Sequence, residues 1–136
     1  MILHIFIDGA AKGNPGPGGI GIYVEDQERL PLRKFHKFIP HCTNNVAEYT
    51  ALLYALKAAQ KLNARTLYVY SDSQLLVRQF NGEYKIKNPA LKELWKACKD
   101  EARQFSRIIF SHIPREQNQE ADRLANLAVK TRMDVL

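Results

Sequence analysis

Four acidic side chains spread along the chain, Asp8, Glu48, Asp72 and Asp122, carry the oxygen chemistry that a hard divalent cation prefers. Taken singly, each has an ordinary structural explanation. Glu48 follows Asn45 by three residues, the spacing of a capping box, and Asp72 can cap the helix that follows it. Asp122 sits in the first turns of a helix, where the dipole favours an anion, and Asp8 can serve the turn after it. The combination points elsewhere, because Asp8 and Asp72 both end apolar runs that adjacent strands would bring together at one edge of a sheet. Left uncompensated, those carboxylates repel. Mg²⁺ in the gap removes the repulsion and keeps waters available for reaction. In a site of two such ions, one activates the attacking water and the other stabilises the leaving 3′ oxygen at phosphorus, so no protein nucleophile is needed.

The elements that must position these acids follow from pattern. Residues 2–8, ILHIFID, are apolar on both faces until the last position, as in a buried central strand. The glycine- and proline-rich segment 9–19 predicts a turn, and GIGIYVE after it a second strand, so a hairpin is expected. A third strand is expected over Leu32–Ile39, bounded by Pro31 and Pro40. Thr43 or Asn45 then caps a helix to about Leu62, with Val46, Tyr49, Leu53, Leu56 and Ala59 as its apolar stripe. RTLYVYS at 65–71 predicts a strand and DSQLLVRQF a short helix ending near Gly82. A helix from about Ala90 to Arg103, a strand over RIIFSHIP and a helix from about Asn118 to Lys130 complete the order. Three hairpin-linked strands and two reached through helices predict an α/β fold, a mixed five-stranded sheet with three antiparallel and two parallel strands, flanked by helices.

Composition sets the outer bounds. With 136 residues, 46% of them hydrophobic, one domain spanning 1–136 with one core is expected. No stretch is long and apolar enough for a membrane helix, and the N-terminus lacks a signal-peptide pattern, so a cytoplasmic monomer without membrane contact is expected. Cys42 and Cys98 lie far apart without metal-ligand spacing and are expected as buried small hydrophobes. The formal net charge of +6 suits a polyanionic partner without specifying one. Setting the four acids aside from 14 leaves 10 acidic against 20 basic residues, a markedly basic surface around a locally acidic centre.

Four segments together resemble ribonuclease H type 1. They are FIDGAAKGNPGPGG with Asp8, TNNVAEYTALLYAL with Glu48, VYSDSQLLV with Asp72, and REQNQEADRLANLA with Asp122, in that order over residues 6 to 128. The resemblance implies a ribonuclease H-like fold and a metal-dependent endonuclease that hydrolyses the RNA strand of an RNA/DNA hybrid to 5′-phosphate and 3′-hydroxyl ends. It implies two Mg²⁺ per site, with Mn²⁺ as a substitute, held by the four acids. It also assigns hybrid contact to Gly9, Ala10, Ala11, Asn14, Asn44, Asn45 and Gln74, and a DNA-strand phosphate to Thr43 and the backbone around it. Backbone groups at a glycine-rich turn and short amides suit the 2′-hydroxyl that distinguishes RNA from DNA. Turn and cap chemistry is the competing explanation for the asparagines.

The match departs from many members in two places. Between the short helix and the next long one this chain has only NGEYKIKNP, without an extra helix and lysine-rich loop, as in the archaeal and plant-like branch. Binding then falls to scattered residues such as Lys85, Lys87, Lys92, Lys96 and Lys99, which a solvated helix face explains as well. In the loop before the last helix, Arg115 matches the shorter branch and is the expected catalytic assistant, its fixed charge stabilising phosphate rather than shuttling a proton. His112, inside the strand-like run, is the other candidate. Double-stranded RNA or an RNA–DNA junction as substrate, and a non-catalytic hybrid-binding module, stay open as alternatives. Met133–Leu136 is expected to fray.

Overall fold

A computed structural model describes all residues, 1–136. Strands β1 (Ile2–Ala11), β2 (Gly16–Glu25) and β3 (Pro31–Cys42) lead into helix α1 (Asn44–Lys61). Then follow β4 (Thr66–Ser71), α2 (Gln74–Phe80), α3 (Pro89–Ala102), β5 (Arg107–His112), a 3₁₀ turn at Arg115–Gln117, and α4 (Gln119–Thr131). The five strands form one sheet in the order β3-β2-β1-β4-β5. β1 pairs antiparallel with β2 and parallel with β4, and β4 is parallel to β5. The expected mixed sheet and element order are both present.

Alternation along the central strands sends apolar side chains to α1. Leu3, Ile5 and Ile7 of β1, Ile20, Ile22 and Val24 of β2, and Leu67 and Val69 of β4 are at most 1% exposed. Opposite them α1 presents Ala51, Leu52, Ala55, Leu56 and Ala59, all fully buried; alanine at this density lets a helix lie close to a sheet. Of the expected stripe, Tyr49, Leu56 and Ala59 are buried, whereas Val46 and Leu53 are only half-buried. On the other face α4 packs through Ala121, Leu124, Ala125 and Ala128 onto β2. A Cβ on Gly21 would lie 2.1 Å from the Ala121 carbonyl oxygen, so only glycine admits α4 at this depth. Where α4 leaves β1 and β4 uncovered, stacked rings cover the sheet instead, with His4 4.9 Å from Tyr68 and Phe6 4.7 Å from Tyr70 between centroids. Cys42 and Cys98 are free and buried, as expected.

Three boundaries differ from expectation. The glycine-rich segment 9–19 is mostly strand, because backbone pairing runs as far as Ala11 with Gly18, leaving only residues 12–15 as the turn. β3 runs through Pro40 to Cys42, which proline tolerates because β3 is an edge strand and needs no donor on its outer side. The C-terminal residues do not fray. Val135 and His36 exchange backbone hydrogen bonds of 2.8 and 2.9 Å, Asp134 accepts from the Phe38 N–H at 2.8 Å, and the buried His36 donates from Nδ1 to the Met133 carbonyl at 2.9 Å. Deleting Met133–Leu136 should cost on the order of 1–3 kcal/mol, since it strips partners from a buried histidine. Urea unfolding with an unchanged slope but a lower midpoint would register it; an unchanged midpoint would contradict it.

Candidate active site

β4 ends at Ser71 in register with Ile7, while β1 runs on to Ala11, so Asp8 lies inside β1 rather than at its end and meets Asp72 where β4 stops. Glu48 reaches them from the first turns of α1, and an oxygen from each of the three lies within 4.8 Å of the others. Glu48 is no part of a capping box. Thr43 is the N-cap, its hydroxyl accepting from Val46 N at 3.2 Å, and the Glu48 carboxylate accepts from the Gly9 N–H. That bond requires β1 to touch α1: a Cβ on Gly9 would lie 2.3 Å from the Ala47 carbonyl carbon. Asp72 caps nothing either, because Ser73 is the N-cap of α2, its hydroxyl accepting from Leu76 N at 3.2 Å.

Electrostatics follow from this crowding. Burial, and then the charges of Glu48, Asp72 and Asp122, push the Asp8 carboxyl up to about 9. Burial pushes Glu48 up to about 7, against the Gly9 N–H that favours its charged form. Asp72 is raised by burial, with the Asn118 amide opposing. Asp122 stands beside Asp8 but outside the tight group of three, half-buried on α4. Its Oδ1 is 4.0 Å from the Arg115 guanidinium and 3.3 Å from the Asn126 amide, which accepts from Lys12 Nζ at 2.8 Å. Arg115 is largely exposed in the 3₁₀ turn. His112 ends β5 exposed rather than packed, near enough to Asp72 to act on its charge.

The remaining expected residues gather on one side of this cluster. Asn14 Oδ1 accepts from Asn44 N at 3.0 Å, and Asn44 Oδ1 accepts from Ala11 N at 2.8 Å, fastening the β1–β2 turn to the start of α1. Ala10 and Gly9 lie on the same strand end, Asn45 is exposed on the first turn of α1, and Gln74 is exposed as the first residue of α2. Thus the Gly9 and Ala11 N–H groups have partners inside the chain. Lys99 departs from a solvated face: its Nζ donates to the Phe80 carbonyl at 2.6 Å and lies 4.0 Å from the Phe80 ring centroid, tying α3 to α2. Lys85, Lys87, Lys92 and Lys96 are exposed.

Comparison with known proteins decides the family. A family model described as reverse transcriptase-like matches residues 6–128. The crystal structure of RNase H1 from Halobacterium salinarum superposes with a TM-score of 0.94 at 32% identity, covering 96% of this chain and 99% of that one. LC11-RNase H1, solved in complex with an RNA/DNA hybrid, superposes at 0.91 with 39% identity over 96% of this chain and 98% of its own. The chain belongs to the ribonuclease H type 1 family. Bifunctional protein Rv2228c of Mycobacterium tuberculosis is 42% identical over 131 residues, 95% of this chain and 36% of that protein, so the chain spans about a third of that relative. As the shorter ribonuclease H form implies, only residues 81–88 connect α2 to α3.

One further residue lies against this acidic cluster, and nothing in the sequence singles it out. Asn118 is 1% exposed at the N-terminus of α4, and its Nδ2 donates to the Ile7 carbonyl at 2.9 Å. From sequence it was legible only as a helix start.

Since Asp8 and Glu48 titrate well above their unfolded values, the folded, ion-free protein binds more protons than the unfolded chain between about pH 4 and 9, and stability falls as pH rises through that window. Asp8→Asn removes most of that slope. Its thermal midpoint in chelator at pH 8 should exceed that of the unsubstituted protein by about 5 °C or more, and the gap should close toward pH 4. Equal midpoints at pH 8 would contradict the assigned repulsion.

Proposed function

We propose that this chain is a metal-dependent endoribonuclease that hydrolyses the RNA strand of RNA/DNA hybrids, leaving 5′-phosphate and 3′-hydroxyl ends. The observation that carries this reading is the convergence of Asp8, Glu48 and Asp72 within 4.8 Å at the sheet's end, with Asp122 beside them. Buried carboxylates pushed up as far as about 9 are a donor set waiting for positive charge, and oxygen-only donors fit Mg²⁺ or Mn²⁺. Asp8, Glu48, Asp72 and Asp122 would hold two such ions. Bound there, the ions would supply an activated water and stabilisation of the leaving oxygen.

The chain's own groups do the rest. Gly9 N–H holds Glu48 aimed at Asp8, so the carboxylates meet ions already oriented. Asn14 and Asn44 spend their side-chain oxygens inside the protein, which leaves both Nδ2 groups as outward donors on an exposed surface. A donor so fixed suits a ribose 2′-oxygen, an atom DNA lacks. Asn45, Gln74, Ala10 and the strand end at Gly9–Ala11 extend this contact along the minor groove, and Thr43, at the N-terminus of α1, faces a phosphate of the DNA strand. Arg115, charged at every working pH and 80% exposed, is placed to meet the scissile phosphate. The hybrid bound by LC11-RNase H1 supports the substrate class. A cytoplasmic, monomeric enzyme is part of the same reading; no helix is long and apolar enough to cross a membrane.

End-labelled hybrid incubated with Mg²⁺ or Mn²⁺, beside single-stranded RNA, double-stranded RNA and an RNA–DNA junction, tests the proposal. Hybrid-selective cutting is expected, with Asp8→Asn slower by more than about 100-fold. Binding without turnover in either ion would sink it in favour of a binding module, and preferential cutting of another duplex would replace the substrate. Arg115→Ala should lower kcat about tenfold, the scale of one charged hydrogen bond, and Arg115→Lys should lose less.

A further inference from the structure

Asn118 occupies the N-cap position of α4, yet its side chain makes no capping hydrogen bond. An asparagine there ordinarily accepts from the first turn's N–H groups. Here the amide turns into the protein. Its Nδ2 donates to the carbonyl of Ile7, the residue before Asp8, and the amide lies close enough to the Asp72 carboxylate to favour its charged form. Its backbone carbonyl accepts from Asp122 N at 3.1 Å, and its own N–H donates to the Arg115 carbonyl at 3.0 Å. One buried residue thereby ties β1 at Ile7 to the start of α4 and the 3₁₀ turn.

The arrangement is costly as plain packing. Asn118 Oδ1 is buried without a partner, a state proteins generally avoid. An apolar residue would fill the space without that penalty, and serine or aspartate would cap the helix better. What this amide supplies is an N–H donor for a β1 carbonyl, with the amide group held close to the Asp72 carboxylate just past β4.

We propose that Asn118 is a positioning residue that sets where Asp122 stands relative to Asp8 and Asp72 by pinning the start of α4 to β1 at Ile7, and so tunes divalent-ion binding and turnover without touching the substrate. The inference rests on the hydrolase reading above. Groups that orient ligands from behind in this way are worth about 10- to 100-fold in ion affinity or rate.

The decisive substitution is Asn118→Ser, because serine is a favourable N-cap but is too short to replace the amide's reach to the Ile7 carbonyl. Mn²⁺ binding by calorimetry and steady-state cleavage of hybrid are measured beside thermal unfolding, all well below the midpoint. Asn118→Ser should keep a midpoint close to that of the unsubstituted protein. Its Mn²⁺ affinity should fall about tenfold and kcat 10- to 100-fold, with KM for the hybrid within about threefold. Asn118→Ala should show the same losses and a lower midpoint. If it does not fold, the serine variant alone decides. Unchanged Mn²⁺ affinity and kcat in folded Asn118→Ser would overturn the proposal and leave Asn118 a packing residue. Should the unsubstituted protein fail to cut hybrid, the function reading falls, while the Mn²⁺ comparison still tells whether Asn118 orders the acids.

Discussion

Like charges forced together in a poorly hydrated place are the constraint around which this fold is arranged. Asp8, Glu48 and Asp72 meet within 4.8 Å, and the first two are less than 10% exposed. Such a cluster opposes folding, so the rest of the chain must offset it. It does so with two layers on one sheet, α1 sealing the apolar faces of β1 and β2, and α4 closing onto β2 from the other side. A cation in the gap would offset that repulsion, and its binding would then be coupled to stability.

Distance of approach is what converts that general core into a particular site. Gly9 and Gly21 lie on opposite faces of the paired strands β1 and β2, and each admits helix backbone where a methyl group would collide. At Gly9 the contact brings α1 near enough for Glu48 to reach a strand N–H. At Gly21 it brings α4, with Asp122 and Asn118, down onto the sheet. Two missing side chains thus set where two of the acids can stand.

Most of the architecture was legible in the chain's apolar runs and the turn signals between them, because runs that close on an acid put those acids at one edge of a sheet. Element order, sheet type and the meeting of Asp8 with Asp72 follow from that, whereas Glu48 and Asp122 joined them through the resemblance. What the pattern could not reveal depended on contacts distant in sequence. Glycines 9 to 19 suggest a turn because local propensity favours one, yet pairing across the hairpin draws most of them into strands. Glu48 and Asp72 mimic caps, but Thr43 and Ser73 stand one turn or one residue closer to the task. Lys99 looks like a surface charge until α3 is placed over Phe80. Asn118 has the spelling of a helix start, and only the folded chain reveals that its amide faces Ile7, 111 residues away.

Residues Met133–Leu136 bear on a different property, the behaviour of many copies in one solution. An open sheet has two margins of unpaired backbone, and each is a template on which another molecule's strand can grow. By bonding to His36 and Phe38, Val135 and Asp134 occupy the middle of the β3 margin, while Pro40 removes a donor farther along. Lys34 and Lys37 add charge on the same strand. A short strap therefore serves as a guard against self-association, and a chain trimmed of it would be prone to meet its own kind edge to edge.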